Sequence, residues 1–470
     1  FFKHKTAYAL SLGLVGSEMC IRDREMVDPD QTLVAWGLDP IFLQGERLVA
    51  KHLDQVSTKR PIFVFHASGH LATVNSEMMR QSGIDQHTPT PGVAKDDSGV
   101  PNGELQEPAA MSLASDGLAT IFIAMMSSEA KWSYALEARN CGVTTAADLG
   151  TTRLTMEGQL EAWRQATDDP QYPIRVVVAF GNFGSDGTPA NIRDMAEKAV
   201  HLREHEESAK LRFGIVKIVL DGSIQGFTAR ISHPHYLDPP PGHPGNGLWL
   251  IPPEQMPDIV SAYHQAGLTV HCHCNGDEAA QVFIDAVDAA LQTHPREDHR
   301  HTVQHCQLTT EQQYKKMSEL GMNANIFANH IFYWGDQHAT ITVGSPRAEK
   351  MDGCATAERE GVKFSIHSDA PITPMGQLHT IWCAVNRLTA SGNILGPEER
   401  IGVHKALQAC TIDAAHQLLM DNEIGSLENG KLADFTVLES DPYEVEPEEL
   451  KNIQVWGTVV GGVPFQAGSQ

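Results

Sequence analysis

Three short strings end in residues that can hold a divalent cation. LTVHCHC (Leu268–Cys274) carries His271 and His273, TVQHC (Thr302–Cys306) carries His305, and FSIHSDAP carries His367 and Asp369. In an extended strand, residues two apart project to one face. His271 and His273 therefore share a face, and Cys272 and Cys274 take the other. That division argues against a mixed Cys/His soft-metal site in the HCHC run. A lone strand histidine is more often a core residue bonded to backbone. Three strand ends in chain order shift that balance, because imidazoles and a carboxylate converging on one point can bind a metal and activate water. Lys217 lies inside the apolar run GIVKIVL. A buried ammonium without a partner is expensive, so this lysine is expected to be paired or chemically altered. His66 and His70, in HASGH, fit a structural role or a substrate-lining one equally well.

These residues need elements to position them. Strand-like runs occur at Pro61–Ala67, Val143–Leu149, Ile174–Phe180, Gly214–Leu220, Leu268–Cys274, Thr302–Cys306, Met322–Phe327 and Phe364–His367. Helical periodicity fills most gaps after Val143: Ile192–Glu204, Pro253–Ala266, Glu278–Thr293 and Thr310–Leu320. Ser112–Cys141 also reads as helical and stops before Gly142, whereas 86–109, rich in Pro, Gly and Asp, reads as a loop. Val- and Ile-rich strands alternating with helices make a parallel sheet, and about seven such units in series favour an α/β (β/α)8 barrel over an open sheet. One strand is unaccounted for and is expected on the N-terminal side. After a helix at Lys405–Met420 the pattern changes. Gly425–Leu438 and Gln454–Phe465 are short and Gly-punctuated, as in a small β domain.

The order Lys217 in VKIVLDGS, His273 in HCNGD, His305 in TVQHC and Asp369 in SDAP resembles the amidohydrolase superfamily. Further phrases narrow the resemblance to the YtcJ-like branch of amidohydrolase family 3, which includes N-substituted formamide deformylases. These are SGHLATVNS (Ser68–Ser76), GELQE (Gly103–Glu107), GVTTAADLG (Gly142–Gly150), ANHIFYWGD (Ala328–Asp336) and GSLENGKLADFTVL (Gly425–Leu438). The resemblance runs from about Pro61 to the C-terminus. It implies a metal-bearing (β/α)8 barrel (a TIM barrel) with a small β-sandwich built from both chain termini. It makes His273, His305 and Asp369 metal ligands and Asp369 also the general base. It places Lys217 where related enzymes carry a carbamylated lysine bridging two metals. Glu107 is a reserve bridging carboxylate, and His70, His330 and Asp336 are placed among the substrate-lining residues.

The family pattern also has a His-x-His pair on its first barrel strand, and no such strand precedes Pro61; the only histidines there are His4 and His52. The missing strand and the missing ligand pair are the same absence. The chain therefore reads as N-terminally truncated: residues 25–420 as a barrel lacking its first strand, with an insertion subdomain at about 40–135, and 421–470 as the C-terminal part of the β-sandwich. Residues 1–24 include SLGLVGSEMCIRDR, which resembles translated sequencing-adaptor text, and are expected to lie outside the fold.

The chain of 470 residues carries 35 Lys+Arg against 59 Asp+Glu, a net charge of −24 that disfavours nucleic acid as a partner. With 41% hydrophobic and 20% charged residues it is an ordinary globular composition. No apolar run in the sequence approaches the ~20 residues of a membrane span. The 8 Cys in a chain of this length do not make a disulfide scaffold, and a cytoplasmic location is expected. The reading is a hydrolase of C–N bonds in non-peptide amides, using one or two divalent ions, zinc above others, on a small-molecule amide. Homodimerisation is left open. The alternatives are a single-metal deaminase and an inactive fragment lacking the strand-1 ligands.

Overall fold

The structure is a computed structural model, and it describes residues 31–43, 45–150, 153–182 and 188–468. The segment 1–24 lies outside the described residues. The chain divides into two compact units.

The first unit holds the described residues up to Met125 together with Asp221–Leu250 and Thr340–Gly344. Its sheet contains β1 (Leu33–Leu38), β2 (Ile62–His66), β3 (Leu71–Val74), β4 (Val93–Lys95) and β5 (Pro101–Gln106), in the order β1-β2-β3-β5-β4. The β1–β2 pair is parallel and the others are antiparallel. Two features depart from the sequence reading. The expected loop at 86–109 contains the β4–β5 pair: β4 has only three residues, and β5 opens on Pro101, Asn102 and Gly103, so both lie behind turn residues around the positive-φ Gly99 (φ 82°). And β1 carries no histidine. Helix Ser115–Met125 lies on this sheet through Gly117, where a Cβ would stand 2.4 Å from the Phe63 ring, so only glycine permits the approach. The helical run Glu107–Met125 is long and apolar enough, by length and composition, to cross a membrane, contrary to the sequence expectation. Its Ala110, Met111 and Ala114 are buried in this unit's apolar core with Phe63, Phe65 and Leu105.

The second unit holds Met126–Leu220, Ile251–Ala339 and Ser345–Gln470. Its parallel strands are β6 (Thr145–Asp148), β7 (Arg175–Val178), β8 (Phe180–Gly181), β9 (Leu211–Arg212), β10 (Ile215–Val219), β11 (Thr269–Cys274), β12 (Thr302–His305), β13 (Asn323–Ile326) and β14 (Phe364–Ile366). They form two sheets, β6-β7-β9 and β8-β10-β11-β12-β13-β14. Only Ala179 separates β7 from β8, and only Phe213 and Gly214 separate β9 from β10. Each of these two chain passes thus contributes to both sheets. Among the described residues the chain runs through seven such passes, each beside its sequence neighbour, with helices such as Pro189–His205, Asp277–Thr293 and Glu311–Leu320 between them. β7, β11 and β12 are buried on both faces, as in a covered parallel sheet; β7 is Val-rich, whereas β11 and β12 carry buried His, Thr and Gln among their apolar residues. β6 is only half-buried. Among the described residues, no strand pairs with the outer edge of β6 or of β14.

The helix expected over Lys405–Met420 is two, Val403–Cys410 and Ile412–Gln417, broken at Thr411 (φ −123°, ψ −95°), whose hydroxyl turns back to the Leu407 carbonyl at 2.7 Å. The C-terminal β-like runs form an antiparallel sheet of β15 (Phe435–Leu438), β16 (Val455–Val460) and β17 (Val463–Gln466). This sheet belongs to the second unit rather than forming one of its own. A buried ion pair ties it down: Arg175 of β7 grips Asp434 through Nε–Oδ2 at 2.6 Å and Nη2–Oδ1 at 3.0 Å. Likewise, the expected insertion at 40–135 is cut at Met125, and its partners include 221–250.

Candidate metal centre

At the C-terminal ends of β12 and β14 the chain bends sharply. His305 (φ 76°), Cys306 (φ 54°) and Asp369 (φ 54°) all adopt the left-handed backbone region. Non-glycine residues held there store strain, and such strain collects at functional sites. The bends turn His305, His367 and Asp369 toward one another, and one ligand atom from each lies within 4.8 Å of the others. The imidazoles of His305 and His367 have ring centroids 5.0 Å apart, and His273, from β11, adds a third ring 4.5 Å from His305. His273 Nε2 is 3.0 Å from Asn275 Nδ2.

Lys217 is buried on β10, in register with His271 of β11. Burial lowers its amine below the usual lysine range, against the pull of the Asp369 carboxylate. His367 is pushed down to about 3, by burial first and then by Lys217. Its ring is neutral, with a lone pair to offer. His367 Nε2 is buried with no hydrogen-bond partner among the described residues. Two or three imidazoles, a carboxylate and an orphaned ring nitrogen fit a divalent cation of the zinc type, which favours nitrogen and carboxylate ligands in small number.

Below this cluster runs a ladder of polar side chains across four strands. Gln304 Nε2 lies 2.6 Å from His271 Nδ1, and Asn325 Nδ2 donates to Gln304 Oε1 at 2.7 Å. Ser365 Oγ is 2.8 Å from Asn325 Oδ1 and 2.7 Å from Gln417 Oε1. Gln417 Nε2 donates to the Ala324 carbonyl at 2.7 Å. Gln304, Asn325 and Ser365 are cross-strand neighbours in the parallel register, so the ladder follows from strand alignment. His271, expected beside His273 on one face, is the ladder's end, and burial lowers its ring to about 3.

The remaining candidates fall elsewhere. His70 Nδ1 is 2.8 Å from Glu107 Oε2, both in the first unit, and Glu107 is itself strained at φ 64°. Glu107 Oε1 is buried with no hydrogen-bond partner among the described residues. His66 is a core residue whose Nε2 meets Thr73 Oγ1 at 2.8 Å. Asp336 is engaged by the 389–393 loop, accepting from Thr389 Oγ1 at 3.0 Å, Ser391 Oγ at 2.9 Å and Asn393 Nδ2 at 3.2 Å. His330 is fully buried, and Phe327 packs against both it and His367, with ring centroids at 5.1 and 4.9 Å.

The amidohydrolase family model matches residues 18–465. The chain belongs to the amidohydrolase family. It is 28% identical to the protein LONG AFTER FAR-RED 3 of Arabidopsis thaliana, over 91% of this chain and 72% of that one. It is 27% identical to the N-substituted formamide deformylase of Arthrobacter pascens, over 87% and 74%. It is 24% identical to YtcJ of Bacillus subtilis, over 94% and 80%. Among solved structures, an uncharacterized metal-dependent hydrolase from Pyrococcus horikoshii matches with a TM-score of 0.66, covering 94% of this chain and 84% of that one at 21% identity. That likeness concerns the fold, the α/β architecture of the metal-dependent hydrolases. Membership places the amidohydrolase in the YtcJ-like branch that its motifs resemble, and its strand ends carry the metal candidates. His367, singled out in the sequence at the end of the FSIHSDAP string, stands in the cluster although the ligand set transferred from the family did not include it. The ladder residues escaped the sequence reading; they could have been found as polar residues at matching positions of successive strands.

Proposed function

We propose that this amidohydrolase hydrolyses C–N bonds of small non-peptide amides with a divalent metal, zinc above others. The observation that carries the reading is the convergence of His305, His367 and Asp369, one ligand atom from each within 4.8 Å. His273 stands beside them, and Lys217, as amine or carbamate, is the further candidate ligand. When bound, a divalent ion supplies a Lewis acid that polarises a carbonyl and eases deprotonation of water. The protein's part is to aim and to move protons. Asp369 takes the proton of the attacking water and delivers it to the leaving nitrogen. The left-handed backbone at Asp369 and His305 directs both side chains toward the cluster before substrate arrives, so less orientation remains to be lost. The half-buried His367, whose ring is lowered to about 3, offers a lone pair to a metal at neutral pH.

The same reading takes the seven parallel passes as a (β/α)8 barrel lacking its first strand, and β15–β17 as part of a β-sandwich. It places the protein in the cytoplasm, acting on a small-molecule amide, with neither nucleic acid nor membrane as partner. The name of the Arthrobacter relative, an N-substituted formamide deformylase, supports N-substituted formamides as the first substrates to try. The test loads metal-stripped protein with zinc or manganese, counts ions per chain, and assays a panel of N-alkyl formamides and acetamides. Metal uptake that is lost in His305→Ala, with amine released from at least one amide, is the expected result. Absence of both in the metal-loaded protein defeats the reading.

A further inference from the structure

Behind the metal candidates lies a second pair of titratable groups. Asp352 is fully buried, and neither carboxyl oxygen has a hydrogen-bond partner among the described residues. His330 is also fully buried, and neither ring nitrogen has one. His330 Nδ1 is 4.0 Å from Asp352 Oδ2. Leaving a buried polar group unmet costs free energy, and each such group in a folded protein calls for a reason. Here four orphaned atoms belong to two neighbouring side chains, and Asp352 also occupies the left-handed region at φ 49°.

The surroundings decide the charge state. Arg387 is the cation nearest to hand, but its guanidinium donates to the main-chain oxygens of Leu395, Met351, Asp352 and Glu349. It does not reach the Asp352 carboxyl. The other titratable groups around Asp352 are the Cys306 and Cys354 thiols and the Tyr314 phenol, and His338 stacks on His330 with centroids 4.8 Å apart. None supplies a positive charge. Two bare ions in that setting would lose more in desolvation than their attraction returns. A single proton on the pair leaves both groups neutral. Burial accordingly holds the Asp352 carboxyl well above its usual range and the His330 ring well below.

We propose that Asp352 is a positioning residue that works as an uncharged acid, donating its O–H to His330 Nδ1 and thereby presenting His330 Nε2–H as a hydrogen-bond donor to an uncharged acceptor of the substrate, a carbonyl or amide oxygen. Closing the present gap takes a shift of about 1 Å, or one bridging water. The substrate part of this inference rests on the amide reading above; the dyad itself does not. The arrangement is the reverse of a carboxylate orienting a histidine: the acid donates, and the imidazole keeps its proton on the far nitrogen.

The test uses the full chain with 15N-labelled histidine, His330 being assigned by the signals lost in His330→Gln. The expected pattern is a neutral ring with the proton on Nε2, and an infrared band of a protonated carboxyl at neutral pH that vanishes in Asp352→Asn. Asparagine can still donate to Nδ1, so Asp352→Asn should keep the tautomer, whereas Asp352→Leu should lose it. A His330 ring protonated on Nδ1, or charged, overturns the proposal, as does a missing carboxyl band. If Asp352→Leu or His330→Leu does not fold, the wild-type ring and carboxyl signals, assigned with the conservative His330→Gln and Asp352→Asn variants, still decide. On N-alkyl formamides, His330→Leu should lower kcat/KM about tenfold or more, with His330→Gln retaining most of it. Unchanged kcat/KM in His330→Leu overturns the donor role. A wild-type protein that turns over no amide defeats the amide reading alone and leaves the ring and carboxyl signatures standing.

Discussion

His301 Nε2 donates to His264 Nδ1 at 2.9 Å, and this bond closes a network in which every ring nitrogen of three histidines is used. His264 Nε2 donates to the His294 carbonyl at 2.7 Å, and Val270 N donates to His301 Nδ1 at 3.0 Å. His299 Nε2 donates to the Leu320 carbonyl at 2.8 Å and its Nδ1 accepts from His301 N at 3.0 Å. No nitrogen is left to take a proton without breaking a bond.

Acid sensitivity follows. Burial, the largest cause in each case, lowers His264, His299 and His301. The unfolded chain therefore binds protons that the folded one refuses. Stability is held above the ordinary histidine value of about 6.5 and is lost as pH falls below it, by on the order of 1 kcal/mol per pH unit for each ring. Thermal melting between pH 7.5 and 5, at constant ionic strength, should show a falling Tm, with a shallower slope in His301→Gln. A slope unchanged by that substitution would count against the network.

The Arg175–Asp434 pair offers a second test. Its side chains are 5% and 1% exposed. Removing one partner strands a buried charge, so Arg175→Met or Asp434→Leu should each cost about 3–5 kcal/mol. The double substitution should cost less than either alone. Denaturant unfolding of the three variants checks this; additive losses would mean the two charges do not depend on each other.

Lys217→Met should separate stability from function. Methionine fills the same volume without a buried amine, so melting of the metal-free protein should hold or rise, while metal uptake and amide turnover fall. A large loss of stability would show that Lys217 serves the core instead.

Asp369→Asn keeps the shape but not the basicity. Amide turnover should drop roughly 100- to 10,000-fold with folding intact. His367→Gln should weaken metal binding measurably by competition with a chelator. Undiminished turnover in the first variant removes Asp369 as the base.

Much of this was legible in the sequence because it is periodic. The strand from Leu268 to Cys274 was bounded to within one residue, since Gly267 before it and Asn275-Gly276 after it punctuate the run. His305 and Asp369 were marked by their place at strand ends. The β4–β5 pair was not, because the three residues of Val93–Lys95 are too few to show alternation and Pro101–Gln106 opens on Pro, Asn and Gly, which read as a turn. The break at Thr411 was hidden by good helix formers on either side. Asp352 gave no signal: its meaning lies in burial and in the absence of hydrogen-bond partners, neither of which a one-dimensional pattern records. Asp336 matched a motif, yet its carboxylate holds the 389–393 loop.

The polar ladder makes the helix Ile412–Gln417 more than a cover on the strands. Gln417 is the terminal peg of a row that passes through Ser365, Asn325 and Gln304 to His271. The row behaves as a keyboard with its hinge at one end. If that helix is displaced, each amide in turn is free to rotate, and the disturbance arrives at the residue level with Lys217. A shift of that helix would thus reach the strand interior beside Lys217 through side chains alone, with the strand pairing intact.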